Sequence, residues 1–173
     1  AGVDVFFVIS GYLIGTIGLT DLQQNRFSVA LFYQKRLRRL APPLICLLLA
    51  VSGGSFLLME CGELALTARH VMAGALFMDN FALLKESGYV DTLSETKPLL
   101  HLWSLGVEEQ FYILIPLLFL LFRHSRRSGG LVLILLTLLS FAACMLLSVT
   151  HEQIAFYAPL TRLWEMGSGF LLA

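Results

Sequence analysis

Charge is scarce in this sequence. Only 14% of its 173 residues are Asp, Glu, Lys or Arg against 57% hydrophobic, and the mean hydropathy is +0.79. A water-soluble domain carries a larger charged share, so that class is excluded. Cysteine is sparse as well. Cys46, Cys61 and Cys144 are odd in number, lack CxxC spacing, and two of them lie in apolar runs. That excludes a disulfide framework and a zinc site, and leaves them as small packing residues. Repeats, linkers and low-complexity stretches are missing too. So is an initiator methionine: the chain opens on Ala1 and closes within the apolar run Gly167 to Ala173. Both ends therefore read as cut, and further site residues are expected beyond them.

Long uncharged runs are what the sequence has instead. Leu40 to Met59 and Leu131 to Val149 contain no charge, and a bilayer-spanning helix needs roughly 20 such residues. A signal peptide accounts for one apolar run near an N-terminus but not for a second one far down the chain. The expected architecture is all-α, a polytopic transmembrane helical bundle. Its helices are placed at about Val3 to Leu19, Ala41 to Met59, Leu99 to Phe122, Leu131 to Val149 and Ala155 to Ala173, with a basic amphipathic stretch at Ser28 to Arg39. Glu63 to Leu84 is helical in pattern, but Arg69, His70 and Asp79 interrupt it, and charge at membrane depth is expensive.

The 12 basic and 12 acidic residues balance in number but not in position. Arg26, Lys35, Arg36, Arg38 and Arg39 mark the first loop as cytoplasmic, and Arg123, Arg126 and Arg127 mark the stretch after Phe122 the same way. An even number of crossings must separate the two. Counting every helical segment gives three, so one fails to span, and the most polar, Glu63 to Leu84, is the natural choice. Cys61 and the loop Lys85 to Lys97 are then external.

Three motifs could carry chemistry. In the basic stretch Arg36 and Arg39 stand three apart on one helix face, where two forked guanidiniums can clamp a phosphate. The alternative is a loop that only satisfies the positive-inside rule and binds lipid head groups. In the helix from Leu99, His101, Ser104, Glu108 and Tyr112 form one polar stripe, with Glu109 adjacent and Pro116 predicting a kink. Intramembrane carboxylates are functional candidates; the competing reading is a stripe bonded to other helices. A Ser-His-Glu triad is a poor fit, because such geometry assembles from separate segments. Third, Thr161-Arg162-Leu163-Trp164-Glu165 spaces Arg162 and Glu165 for a local ion pair at the membrane edge. Ser10, Gly11 and Gly15 read as close-packing residues. Residues alone leave enzyme, transporter with a polar pathway, and inert packing module open.

Four segments then occur in order: Gly2-Val3-Asp4-Val5-Phe6-Phe7-Val8-Ile9-Ser10-Gly11-Tyr12, Phe32-Tyr33 with its arginines, His101-Leu102-Trp103-Ser104-Leu105-Gly106-Val107-Glu108-Glu109-Gln110-Phe111-Tyr112, and the Thr161 to Glu165 motif. Together they resemble the acyltransferase-3 family, in particular its bacterial branch that O-acetylates O-antigen and related surface sugars. The resemblance implies about ten transmembrane helices in the bacterial inner membrane, of which residues 1–173 would be a partial domain, the N-terminal half, inactive alone. It implies acyl transfer, acetyl-CoA or another acyl-CoA being the donor substrate and a glycan hydroxyl the acceptor, with no bound cofactor, metal or nucleic acid. The family's catalytic histidine lies upstream of Ala1, so His101 does not inherit that role. Arg36 and Arg39 match the family's donor-handling arginines, while Glu108, Glu109, Tyr112, Ser104 and His101 are supporting candidates. Membrane lipid and an SGNH-type domain, fused or separate, are the further partners implied.

Overall fold

The computed structural model describes residues 2–86 and 98–173. Every regular element among them is helical: α1 Gly2–Gln23, α2 Val29–Leu58, α3 Cys61–Ala75, α4 Asp79–Glu86, α5 Leu102–His124, α6 Arg126–Thr150, α7 Glu152–Tyr157 and α8 Pro159–Leu171. The expected all-α fold is observed. Four helices, α1, α2, α5 and α6, are long and apolar enough to cross a membrane, and the chain is a multi-pass membrane protein.

Two boundaries depart from expectation. The amphipathic stretch and the first uncharged run form one continuous helix, α2, through Pro42 and Pro43. These prolines remove the bonds to the carbonyls of Arg38 and Arg39, and both of those residues are exposed, where water can satisfy them. Conversely, Glu63 to Leu84 is not one helix. α3 stops at Ala75 because Phe77 takes a left-handed conformation, φ 56°. The amides of Phe77 and Met78 then bond back to the carbonyls of Gly74 and Ala73 at 3.1 and 2.8 Å, a Schellman end that satisfies the last turn. α3 is 15 residues long, and among the described residues α2 and α5 are the helices between the basic loops that are long and apolar enough to cross a membrane. The external loop expected over Lys85 to Lys97 lies, past Glu86, outside the described residues.

The chain forms two compact units, Ala1–Val29 with Glu108–Ala173, and Ala30–Val107. In the second unit Leu44 and Leu48 of α2 pack with Leu99 and Leu102, joined by Val51, Val71, Phe77 and Leu105. Gly106 lets the α3–α4 turn sit against α5, since a Cβ there would lie 2.9 Å from the Phe77 carbonyl oxygen.

In the first unit α1 and α8 run side by side. A Cβ on Gly11 would overlap the Met166 carbonyl, and one on Gly169 the Val8 carbonyl. Gly11 and Gly15 are thus packing residues, the closest approach that small residues permit. Phe119 and Phe170 fill the interior, with ring centroids 5.5 Å apart. Pro159 opens α8, where its missing N–H costs nothing. The Ser140 hydroxyl of α6 donates to the Leu160 carbonyl (2.6 Å) and accepts from the Trp164 amide (2.9 Å), tying α6 to α8.

At one end of this unit, α1 finishes in a second Schellman end. Asn25 is left-handed at φ 54°, and the Arg26 amide bonds the Asp21 carbonyl at 2.8 Å. Leu22, Gln23 and Asn25 line a cavity of about 460 Å³ with Phe122, Arg123, His124 and Arg126. The end of α1 and the α5–α6 junction therefore lie on the same side of the membrane. In the full-length protein with Cys46 and Cys144 replaced by alanine, Cys61 is expected to react with an impermeant maleimide in intact cells. In the Ser128→Cys variant lacking all three native cysteines, labelling is expected only after permeabilisation. Labelling of that variant in intact cells would invert the orientation.

Candidate functional site

The polar stripe of α5 is a graded feature. His101 is exposed, Ser104 half-buried, and Glu108 and Tyr112 buried. One helical turn separates the last two, and the Tyr112 hydroxyl donates to Glu108 Oε1 at 2.5 Å, a charge-assisted bond that orients the carboxylate. Glu109 is half-buried, as expected about 100° round the helix. Ser104 donates to the main-chain carbonyl of His101 at 3.1 Å, not to its imidazole, so no serine–histidine dyad forms. Pro116 lies within α5 without ending it.

Arg36 and Arg39 fall on the continuous helix α2, one turn apart on the same side, Arg36 half-buried and Arg39 exposed. The geometry keeps both as candidates for binding an anion at the helix surface. They belong to the second unit, Glu108, Glu109 and Tyr112 to the first.

Two clusters were missed or only half seen in sequence. The first joins α1 to α8. The expected local pair is present, with Arg162 Nη1 2.6 Å from Glu165 Oε1, but the same nitrogen also bonds Asp4 Oδ1 at 3.0 Å. Arg162 Nε donates to the Phe156 carbonyl at 3.2 Å, and the guanidinium lies 4.9 Å over the Phe156 ring. Nothing in the spacing announces Asp4, 158 positions away. Glu165 is buried, at 2% exposed.

The second cluster lies in α3 and α4. His70 Nδ1 is 2.7 Å from Asp79 Oδ1 and Nε2 is 3.1 Å from Glu86 Oε2. Each ring nitrogen thus faces a carboxylate oxygen, an arrangement that favours the doubly protonated imidazolium, which has a donor on both. Its pKa is raised above the usual histidine value, chiefly by the bond to Asp79 against the pull of burial, with the charges of Asp79 and Glu86 assisting. The sequence signal was the three polar residues that interrupt an apolar segment; it gave no pairing. Among the described residues no group of His, Cys, Asp or Glu could hold a metal.

With this geometry in hand, known proteins can be compared. The sequence model of a family described as acyltransferase domain matches residues 1–173. An uncharacterized protein of Haemophilus influenzae is 35% identical, over 98% of this chain and 73% of its own length. The putative membrane-bound transacylase BcsY of Komagataeibacter xylinus is 34% identical over 99% of the chain, and O-acetyltransferase OatA of Staphylococcus aureus is 33% identical over 99%. This chain spans only 43% and 29% of those two relatives. No solved structure matches.

Proposed function

Because this chain belongs to the acyltransferase-3 family, whose domain its residues 1–173 match, we propose that the protein transfers an acyl group, acetyl above all, from acyl-CoA to a hydroxyl of a cell-surface glycan such as O-antigen. The observation that carries this reading is the alignment of 99% of the chain with an O-acetyltransferase. The proposed setting is the bacterial inner membrane, with donor inside and acceptor outside.

The chemistry assigns roles. The acceptor hydroxyl oxygen attacks the thioester carbon, its proton passes to a base, and the carbon–sulfur bond breaks to release the thiol. The base is the histidine that the family carries upstream of this segment. Arg36 and Arg39 hold the donor's phosphates through their planar forks. The pair Glu108 and Tyr112 lines the polar route through the bundle, Tyr112 fixing the carboxylate that would otherwise be costly in an apolar helix. His101, Ser104 and Glu109 flank that route on the same helix. An SGNH-type domain, fused or separate, would receive or pass on the acyl group outside.

Acetyl-CoA labelled in the acetyl group, supplied to inverted vesicles of the full-length protein, is expected to leave label covalently on envelope glycan. The Arg36→Lys/Arg39→Lys variant keeps charge but loses both forks, and its transfer is expected to fall about tenfold, roughly the value of one charge-assisted bond, with insertion unchanged. Label that crosses the membrane without covalent attachment would identify a transporter instead. Full transfer by the double lysine variant would reduce the pair to general basic character.

A further inference from the structure

One recess in the first unit is bordered by cations. The cavity at the end of α1 is lined by Arg123 and Arg126, and no Asp or Glu among the described residues lines it. Neither arginine takes part in an ion pair among those residues. Both are exposed, so the recess opens to the surface. Its volume of about 460 Å³ falls in the range of small-ligand sites, about 300–1,000 Å³.

Arg123 lies in the last turn of α5, where a cation suits the helix dipole, whereas Arg126 opens α6, where it opposes the dipole. An anion seated between the two offsets that cost. Gln23 and Asn25, at the end of α1, bring amide N–H groups that can donate to the same anion. Leu22 and Phe122 make part of the lining apolar. Because α1, α5 and α6 are each long and apolar enough to cross a membrane, their shared end lies where the bilayer meets water. A molecule that is anionic at one end and hydrocarbon at the other fits both kinds of lining at that depth, and basic pockets between spanning helices hold lipid head groups by this chemistry. Charge orientation alone would be met by arginines anywhere at the junction, as it is by Arg127 outside the recess.

We propose that this recess seats the phosphate of an anionic phospholipid, with Arg123 and Arg126 on the phosphate oxygens and Leu22 and Phe122 against the first carbons of its chains. The site is independent of the acyl-transfer reading above.

The test uses the full-length protein in phosphatidylcholine vesicles containing a minor share of phosphatidylglycerol, with the lipid retained by each purified protein counted by native mass spectrometry. Wild type is expected to retain phosphatidylglycerol in preference to phosphatidylcholine. Arg123→Gln/Arg126→Gln is expected to lower its affinity about tenfold or more, while Arg26→Gln/Arg127→Gln, which removes the same charge outside the recess, stays near wild type. On wild type alone, a photoreactive phosphatidylglycerol is expected to crosslink at the α5–α6 junction, a result that needs no variant to fold. Retention without preference, equal losses in both double variants, or crosslinks confined to other segments overturn the proposal. Displacement of the lipid by inorganic phosphate or by coenzyme A at millimolar concentration overturns it as well, because the recess would then be a site for soluble phosphates.

Discussion

Gly169→Val is expected to prevent the first unit from assembling. A side chain there would run into the Val8 carbonyl and lie 2.9 Å from the Tyr12 amide nitrogen. These are backbone atoms of α1, so no rotamer change relieves the clash and the two helices must separate. Overpacking in a well-filled interior costs about 1–3 kcal/mol where side chains can yield; here the expected loss exceeds about 3 kcal/mol, because the packing of α1 on α8 goes with it. Gly130→Ala is the matched control, since nothing lies within 4 Å of a Cβ at that α6 position, and helix propensity favours alanine by up to about 1 kcal/mol. Thermal stability of the detergent-solubilised full-length protein distinguishes them. Equal melting of both variants would show that α1 and α8 are not in close contact.

His70→Ala is expected to destabilise the second unit by about 3–5 kcal/mol, the cost of stripping one partner from a buried ion pair. Asp79 is completely buried and its Oδ2 already lacks a partner among the described residues, so loss of the imidazolium leaves a carboxylate with little else to pair it. The pH dependence has a definite sign. His70 has its pKa raised in the folded protein, so its contribution is fully present below the unfolded value of about 6.5 and is lost as pH rises through the folded value. The melting gap between wild type and His70→Ala should therefore narrow on the alkaline side. A gap that is flat with pH, or that widens, would show that His70 is neutral.

Much of the fold was legible because membrane spans are written in composition. Uncharged windows located α2 and α6, and the charges in Glu63 to Leu84 marked a segment that the structure breaks into α3 and α4. The continuity of α2 was not legible, because Pro42 and Pro43 usually end a helix and here lie inside one. At the candidate site, local spacing found what is local: Arg162 with Glu165, and Glu108 with Tyr112. It could not find Asp4 beside Arg162, which depends on two helices meeting at glycines far apart in sequence. Nor could it join His70 to Glu86, because the turn between α3 and α4 is made by Phe77, a residue with no intrinsic liking for a left-handed backbone.

The Ser140 hydroxyl described above has a mechanical meaning. It grips a carbonyl and an amide that face each other one turn apart on α8, so it meshes with that helix as a tooth does with a gear. Spinning α8 about its axis, or sliding it along α6, would strip both bonds at once. The turn that carries Arg162 and Glu165 is thus geared to α6, and any stroke that swings those side chains must turn α6 with them.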